Sequence, residues 1–271
     1  MLSLKYIKRF FVIISAAIIS IQISCEDILK LDIIGDGNII VDSVRWQTNN
    51  SIETVELTDN FRLEIYQSEK SALYVEADSN LMTNIKTTFN RSTLTISRLS
   101  NYNLQPSKKI IVRLYINNLY NIYNINVSNR GSVLCDTLDF VRMSVDVSGK
   151  SSFSSNNLVV NEMIIKAENG ATIDLKGDFP KLELTQFGSG ETALSGNAEN
   201  LTLIQEGSGK VEALDLKAAN AYITLTGSGL IYCYVTDLLN VDIKGSGRVY
   251  YKGAPTLAQS INGGGYVGIY Y

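Results

Sequence analysis

From about residue 128 onward, apolar and polar residues alternate in short runs broken by Gly, Asn or Ser. A period of two puts every second side chain on one face of an extended strand, so these runs predict strands with one buried face. Val211 and Ala213, Ile231 and Cys233, and Val249 and Tyr251 are such pairs. A second set follows each of them: Leu182 and Leu184; Leu201 and Leu203; Ala221, Ile223 and Leu225; Leu239, Val241 and Ile243. Each segment therefore reads as two apolar-faced strands separated by a turn.

The turns recur. Gly188-Ser189-Gly190, Gly207-Ser208-Gly209, Gly227-Ser228-Gly229 and Gly245-Ser246-Gly247 are followed by Gly263-Gly264-Gly265. Degenerate copies lie upstream at Asn129-Arg130-Gly131, Gly149-Lys150-Ser151 and Asn169-Gly170-Ala171. The third position of each copy falls at 131, 151, 171, 190, 209, 229, 247 and 265, a period of about 19 residues. Two residues beyond it stand Val133, Phe153, Ile173, Thr192, Val211, Ile231, Val249 and Val267; four beyond stand Cys135, Ser155, Leu175, Leu194, Ala213, Cys233, Tyr251 and Ile269. A unit this short cannot bury its own apolar face, whereas stacking units at about 4.8 Å builds one continuous core. The expected fold is all-β, a single-stranded parallel β-helix. Propeller blades need about 40 residues, and sandwiches rarely hold such a period. Where the glycine pair is incomplete, near Gly131 and Gly149, the corners are expected to be distorted.

Residues 35–127 alternate without the 19-residue register, as in Arg62-Leu63-Glu64-Ile65-Tyr66 and Ile110-Ile111-Val112-Arg113-Leu114-Tyr115. They are expected to form irregular leading coils and a cap, since an uncovered solenoid end is an aggregation-prone edge; a separate small β domain is the alternative. Residues 128–271 are then the regular solenoid.

Several runs together resemble the family known as putative auto-transporter adhesin, head GIN domain: Gly35-Asp36-Gly37-Asn38-Ile39-Ile40, the stretch from Ser71 to Leu81 with Ala77-Asp78-Ser79-Asn80-Leu81 at its end, Leu94-Thr95-Ile96, the repeated Gly-Ser-Gly, and the closing segment Gly245 to Pro255. The resemblance covers nearly the whole of the chain beyond residue 34. It implies a pectin-lyase-like β-helix and an adhesive role without catalysis.

The N-terminus changes the picture of location. Lys5, Lys8 and Arg9 precede an apolar stretch from Phe10 to Ile23, which is too short to span a bilayer and reads as a signal peptide over residues 1–24. Ile21-Gln22-Ile23-Ser24-Cys25 resembles a bacterial lipobox, making Cys25 the expected lipidation site and residues 25–34 a tether. An ordinary signal peptide with a chance cysteine, or an uncleaved anchor, is the alternative. Acyl chains on Cys25 would hold the protein to a membrane, at about 0.8 kcal/mol per buried methylene. Glu26 and Asp27 resemble the acidic surface-export signal of Bacteroidota lipoproteins, so an outer-membrane lipoprotein, displayed outward or facing the periplasm, is expected.

The chain carries 24 Lys and Arg against 27 Asp and Glu, and loss of the leader takes away three positive charges, leaving 21 against 27, or −6. Nucleic acid is not an expected partner. The absence of histidine removes the commonest general base and zinc ligand, and every Ser-His or Cys-His pair. No cofactor, metal or catalytic residue is expected. Gly263-Gly264-Gly265-Tyr266-Val267-Gly268 fits a dinucleotide fingerprint formally, but only three residues follow where a helix would be needed. The place of the aspartate in calcium-binding glycine-rich repeats is filled by Val211, Ile231, Val249 and Val267. Cys135 and Cys233 fall in one inward file five coils, or about 24 Å, apart, too far for a disulfide. Carboxylates such as Asp174, Asp178, Glu191, Glu206, Glu212, Asp215, Asp237 and Asp242 are scattered over turns and outer faces.

Tyrosine is the remaining candidate. Tyr232 and Tyr250 share an outward file on adjacent coils, and Tyr234 and Tyr270 share another. Such a face can bind a glycan or protein, or simply stabilise the flank. The leading expectation is a non-catalytic cell-envelope adhesion or interaction module, tied to the membrane through its lipid and open to self-association. A polysaccharide-active lyase or glycosidase, or a purely structural envelope protein, is the alternative.

Overall fold

The computed structural model describes residues 30–44, 51–117 and 122–271. The leading part holds β1 (Leu31–Ile34), β2 (Ile39–Val44), β3 (Thr54–Leu57), β4 (Arg62–Gln67), β5 (Ala72–Asp78), β6 (Ile85–Asn90), β7 (Thr93–Arg98), β8 (Tyr102–Gln105) and β9 (Ile111–Ile116). The regular part holds β10 (Asn124–Val127), β11 (Ser132–Cys135), β12 (Leu138–Gly149), β13 (Ser152–Ser155), β14 (Leu158–Asn169), β15 (Thr172–Gly188), β16 (Glu191–Gly207), β17 (Lys210–Gly227), β18 (Leu230–Gly245), β19 (Arg248–Lys252), β20 (Thr256–Asn262) and β21 (Tyr266–Ile269). The one short helical element among the described residues is the 3-10 turn Met82–Asn84. No helix there is long and apolar enough to cross a membrane.

The chain is the parallel β-solenoid that the repeat predicts. Ser132 pairs with Ser152, Thr172 with Glu191, Glu191 with Lys210, Lys210 with Leu230, Leu230 with Arg248, and Arg248 with Tyr266. The predicted inward file is continuous: Val133, Phe153, Ile173, Val211, Ile231 and Val249 are all at most 1% exposed. Each such aliphatic side chain contributes roughly 1.5–3 kcal/mol on burial. The second apolar set, from Leu182 to Ile243, is buried as well.

Each coil turns at its first glycine. Gly207, Gly227, Gly245 and Gly263 have φ between +113° and +127°, and a Cβ on Gly227 would lie 2.5 Å from the Gly207 carbonyl oxygen. The corners therefore nest too closely for a side chain. Upstream the expectation of distorted corners is answered by substitution of residue type. Gly149 (φ 71°) and Asn169 (φ 62°) keep the left-handed turn in register with Gly188, and Asn129 and Arg130 adopt it together in the first corner. Asparagine tolerates this conformation better than most residues, so the stack continues without the glycine pair.

The leading coils extend the same files in a different order. β4 pairs in parallel with both β11 and β9, and β3 with both β10 and β7. Arg62 stands opposite Ser132 on one side and Ile111 on the other, so Phe61 and Ile110 prolong the reference file, with Leu63 and Val112, then Ile65 and Leu114, behind them. The first coil in sequence thus lies inside the second.

Antiparallel strands close this end: β5 on β9, β2 on β5, and β6 on β7. The wholly buried carboxylate of Asp78 pins the closure. It accepts from the N–H of Gly37 (2.8 Å), the N–H of Ser107 (3.0 Å) and the Ser107 hydroxyl (2.6 Å). Burial raises its pKa, but these hydrogen bonds outweigh it and leave the group below the ordinary carboxylate value.

Candidate functional site

The opposite end of the stack carries a cluster of tyrosines. Tyr232 on β18 pairs with Tyr250 on β19, so parallel stacking places one phenol directly over the next. Their rings are 5.5 Å apart and inclined by 19°. Tyr270 packs edge-on against Tyr232 at 5.5 Å, and Tyr266 meets Tyr250 at 5.7 Å. The place opposite Tyr250 on β21 is Gly268, and a Cβ there would collide with the Tyr266 ring. The missing side chain is what lets Tyr266 lie across the cluster.

Cations rim these rings. Lys210 Nζ lies 5.8 Å from the centre of the Tyr232 ring and is ion-paired with Glu212, which raises the ammonium pKa by hydrogen bonding. Lys252 Nζ lies 4.9 Å from the centre of the Tyr234 ring. Aromatic faces with partly exposed edges and neighbouring ammonium groups suit the apolar face of a sugar ring or a protein side chain. The predicted tyrosines are thus partly united. Tyr232, Tyr250 and Tyr270 come together, while Tyr234 stands beside Lys252 and outside the ring stack. Cys25 and the expected signal peptide, residues 1–24, lie outside the described residues.

A second aromatic network, at the capped end, escapes the repeat. Tyr66 and Tyr115 stack at 5.3 Å and Tyr74 meets Tyr115 edge-on at 5.8 Å. Arg113 bridges Glu76 (2.7 Å) and Glu64 (3.2 Å), Arg62 bonds Glu64 (2.7 Å), and the Tyr66 hydroxyl donates to Glu64 (2.9 Å). Burial and the bond to Glu64 raise the Tyr66 pKa, and the bond to Glu76 raises that of Arg113. The alternation of β4 and β9 carries the signal for it, but only once Tyr66 is known to face Tyr115.

Carboxylates beside cations line the grooves of the described surface. A groove of about 380 Å³ over β3, β10, β12 and β14 is lined by Glu56, Asp146 and Glu168 together with Lys166. Glu168 is ion-paired with Lys166 at 2.7 Å and Glu56 accepts from Thr95. Clefts of about 400 and 530 Å³ near the cap share Lys30, Asp59 and Arg98, and there Arg98 pairs with Asp59. Among the described residues no group of three or more His, Cys, Asp or Glu is arranged to hold a metal ion. Cys135 and Cys233 are both free and buried, and burial pushes the Cys233 thiol up to about 12 and Cys135 higher still.

Several solved structures superpose on most of the chain. A putative adhesin from Parabacteroides merdae superposes with a TM-score of 0.80 at 19% identity, covering 89% of this chain and 99% of its own. A putative adhesin from Parabacteroides distasonis gives 0.78 at 20% identity over 88% and 100%. A putative lipid binding protein from Parabacteroides distasonis gives 0.77 at 23% identity over 89% and 100%. No curated protein matches the chain. The sequence profile described as putative auto-transporter adhesin, head GIN domain, matches residues 51–255, three-quarters of the chain, and to that family this protein belongs.

Proposed function

We propose that this protein is a non-catalytic, lipid-tethered adhesion module of the cell envelope that offers the tyrosine flank of β18, β19 and β21 to a glycan. The observation that carries this reading is the opposition of the two ends. β1, the first described strand, pairs with β8 in the outermost leading coil, whereas the tyrosines occupy the last coils. Between them run coils stacked at about 4.8 Å each, a spacing on the order of 40 Å. A tether at Cys25 would hold one end at an outer-membrane surface and carry the aromatic end away from it. The family name and the names of the structural neighbours agree with adhesion.

Two measurements test it. Intact cells producing the chain or its Cys25→Ala variant are treated with an external protease and fractionated; the reading expects membrane attachment to be lost with Cys25. Purified chain is then applied to a glycan array, with Tyr232→Ala and Tyr250→Ala alongside. Saccharide binding lost in both variants supports the flank, while binding restricted to proteins moves the ligand class. Release of shortened sugar products would replace adhesion by polysaccharide cleavage.

A further inference from the structure

The two ends of the stack are finished differently. At the leading end the core files are closed by antiparallel strands and the Asp78 latch. At the far end, among the described residues, β20 pairs only with β18, and β21 only with β19. The core files therefore run out into solvent. Leu239 and Ile243 are wholly buried, but Leu257 and Ile261, their register partners on the last coil, are 36% and 40% exposed. The Tyr266 and Tyr270 amides bond back to the Gly247 and Tyr251 carbonyls, so by ladder alternation Val267 and Ile269 turn their own N–H and C=O outward.

Proteins ordinarily blunt such an edge with charge, proline within the strand, a bulge or a covering segment. Residues 253–271 contain no Asp, Glu, Lys or Arg, and their one proline, Pro255, precedes β20 instead of interrupting it. An edge of this kind is suited to an identical edge. A two-fold axis through the last coil sets β20 and β21 antiparallel to their copies, satisfies the outward amides, and brings no like charges together. The leading end is a poorer match, because its outermost strands β2 and β6 carry Asp42 and Lys86 and do not continue the apolar files. The last coil offers about the 20 residues a side at which stable interfaces begin.

We infer that the protein forms a closed, tail-to-tail dimer in which the β20 and β21 edge of one copy pairs with the same edge of a second. Pairing does not require the anchor. Where the anchor proposed above holds, the two tethers emerge at opposite ends of a doubled rod, and the pair spans from one membrane to another.

The test is sedimentation of the purified full chain over a concentration series, with Gln259→Lys and Ile261→Lys as edge variants and Val141→Lys as a control on an exposed flank position. The expected result is a dimer for the unmodified chain and Val141→Lys, and half that mass for both edge variants at unchanged thermal midpoint. Hydrogen exchange on the unmodified chain needs no variant: amides of residues 256–269 should gain protection as concentration rises. A monomer at every concentration, a dimer indifferent to the edge lysines, a series of growing oligomers, or edge amides protected equally at all dilutions would each overturn the proposal. Loss of membrane attachment in Cys25→Ala bears on the tether alone, so the two readings fail separately.

Discussion

Thr192 donates its hydroxyl to Gln186 Oε1 at 2.7 Å in the middle of the core. The same glutamine donates through Nε2 to the Gly190 carbonyl at 2.8 Å, so a buried amide is satisfied at both ends. One coil on, Gln205 repeats Gln186 but Val211 replaces Thr192, and both polar atoms of Gln205 are left without a partner.

This pair sets opposite outcomes for opposite substitutions. Thr192→Val strands Gln186 Oε1 and is expected to cost about 1–3 kcal/mol. Val211→Thr supplies the hydroxyl that Gln205 lacks and should be neutral or stabilising, although it adds a polar group to the core. Gln205→Leu, which copies the Leu225 that follows it in the file, should stabilise by about 1 kcal/mol. Urea denaturation midpoints of the three variants check the order.

The Asp78 latch makes the leading end acid-sensitive. Its folded pKa is depressed, so its contribution is present above the unfolded value of about 3.9 and is lost as pH falls through the lower folded value. Stability is expected to drop below about pH 4, with exchange in β2 and β5 rising before that in β16 and β17. Asp78→Ala should remove most of this acid dependence and cost about 1–3 kcal/mol at neutral pH by orphaning the Ser107 and Gly37 amides.

The corner glycines are not equivalent. Gly227→Ala forces a left-handed backbone and a Cβ 2.5 Å from the Gly207 carbonyl oxygen, whereas at Gly149 the space is open and only the conformational cost of about 1–2 kcal/mol applies. The thermal midpoint should therefore fall several degrees further for Gly227→Ala than for Gly149→Ala.

The thiols of Cys135 and Cys233 should be inert to alkylation at neutral pH in the folded chain. Burial keeps both protonated, and the thiolate is the reactive species. Mass-spectrometric labelling of these two positions should track unfolding, and labelling well ahead of it would contradict the burial.

The regular coils were legible because identical spacing makes equal positions recur. Val211, Ile231 and Val249 announce themselves as one file, and Cys135 and Cys233 as distant members of another. The leading coils were not, because their partners lie about 49 and 70 residues apart and the outer coil is laid down second. Phe61 and Ile110 belong to the reference file, yet no glycine marks them. The tyrosine cluster was half legible for a related reason. Register predicts Tyr232 over Tyr250, but the swing of Tyr266 depends on the vacancy at Gly268, which no periodicity encodes.

The out-of-order leading coil also bears on how the chain assembles. The segment from β3 to β4 needs a neighbour on each side, and one of them, β7 with β9, must double back before β10 and β11 arrive. The topology predicts growth from this interior slab, first toward the cap and then away from it, each later coil using its predecessor as a template. Shortening the chain from its far end should leave a stump that still folds, whereas excising residues 54–67 should remove the seed and leave the repeats with nothing to grow on.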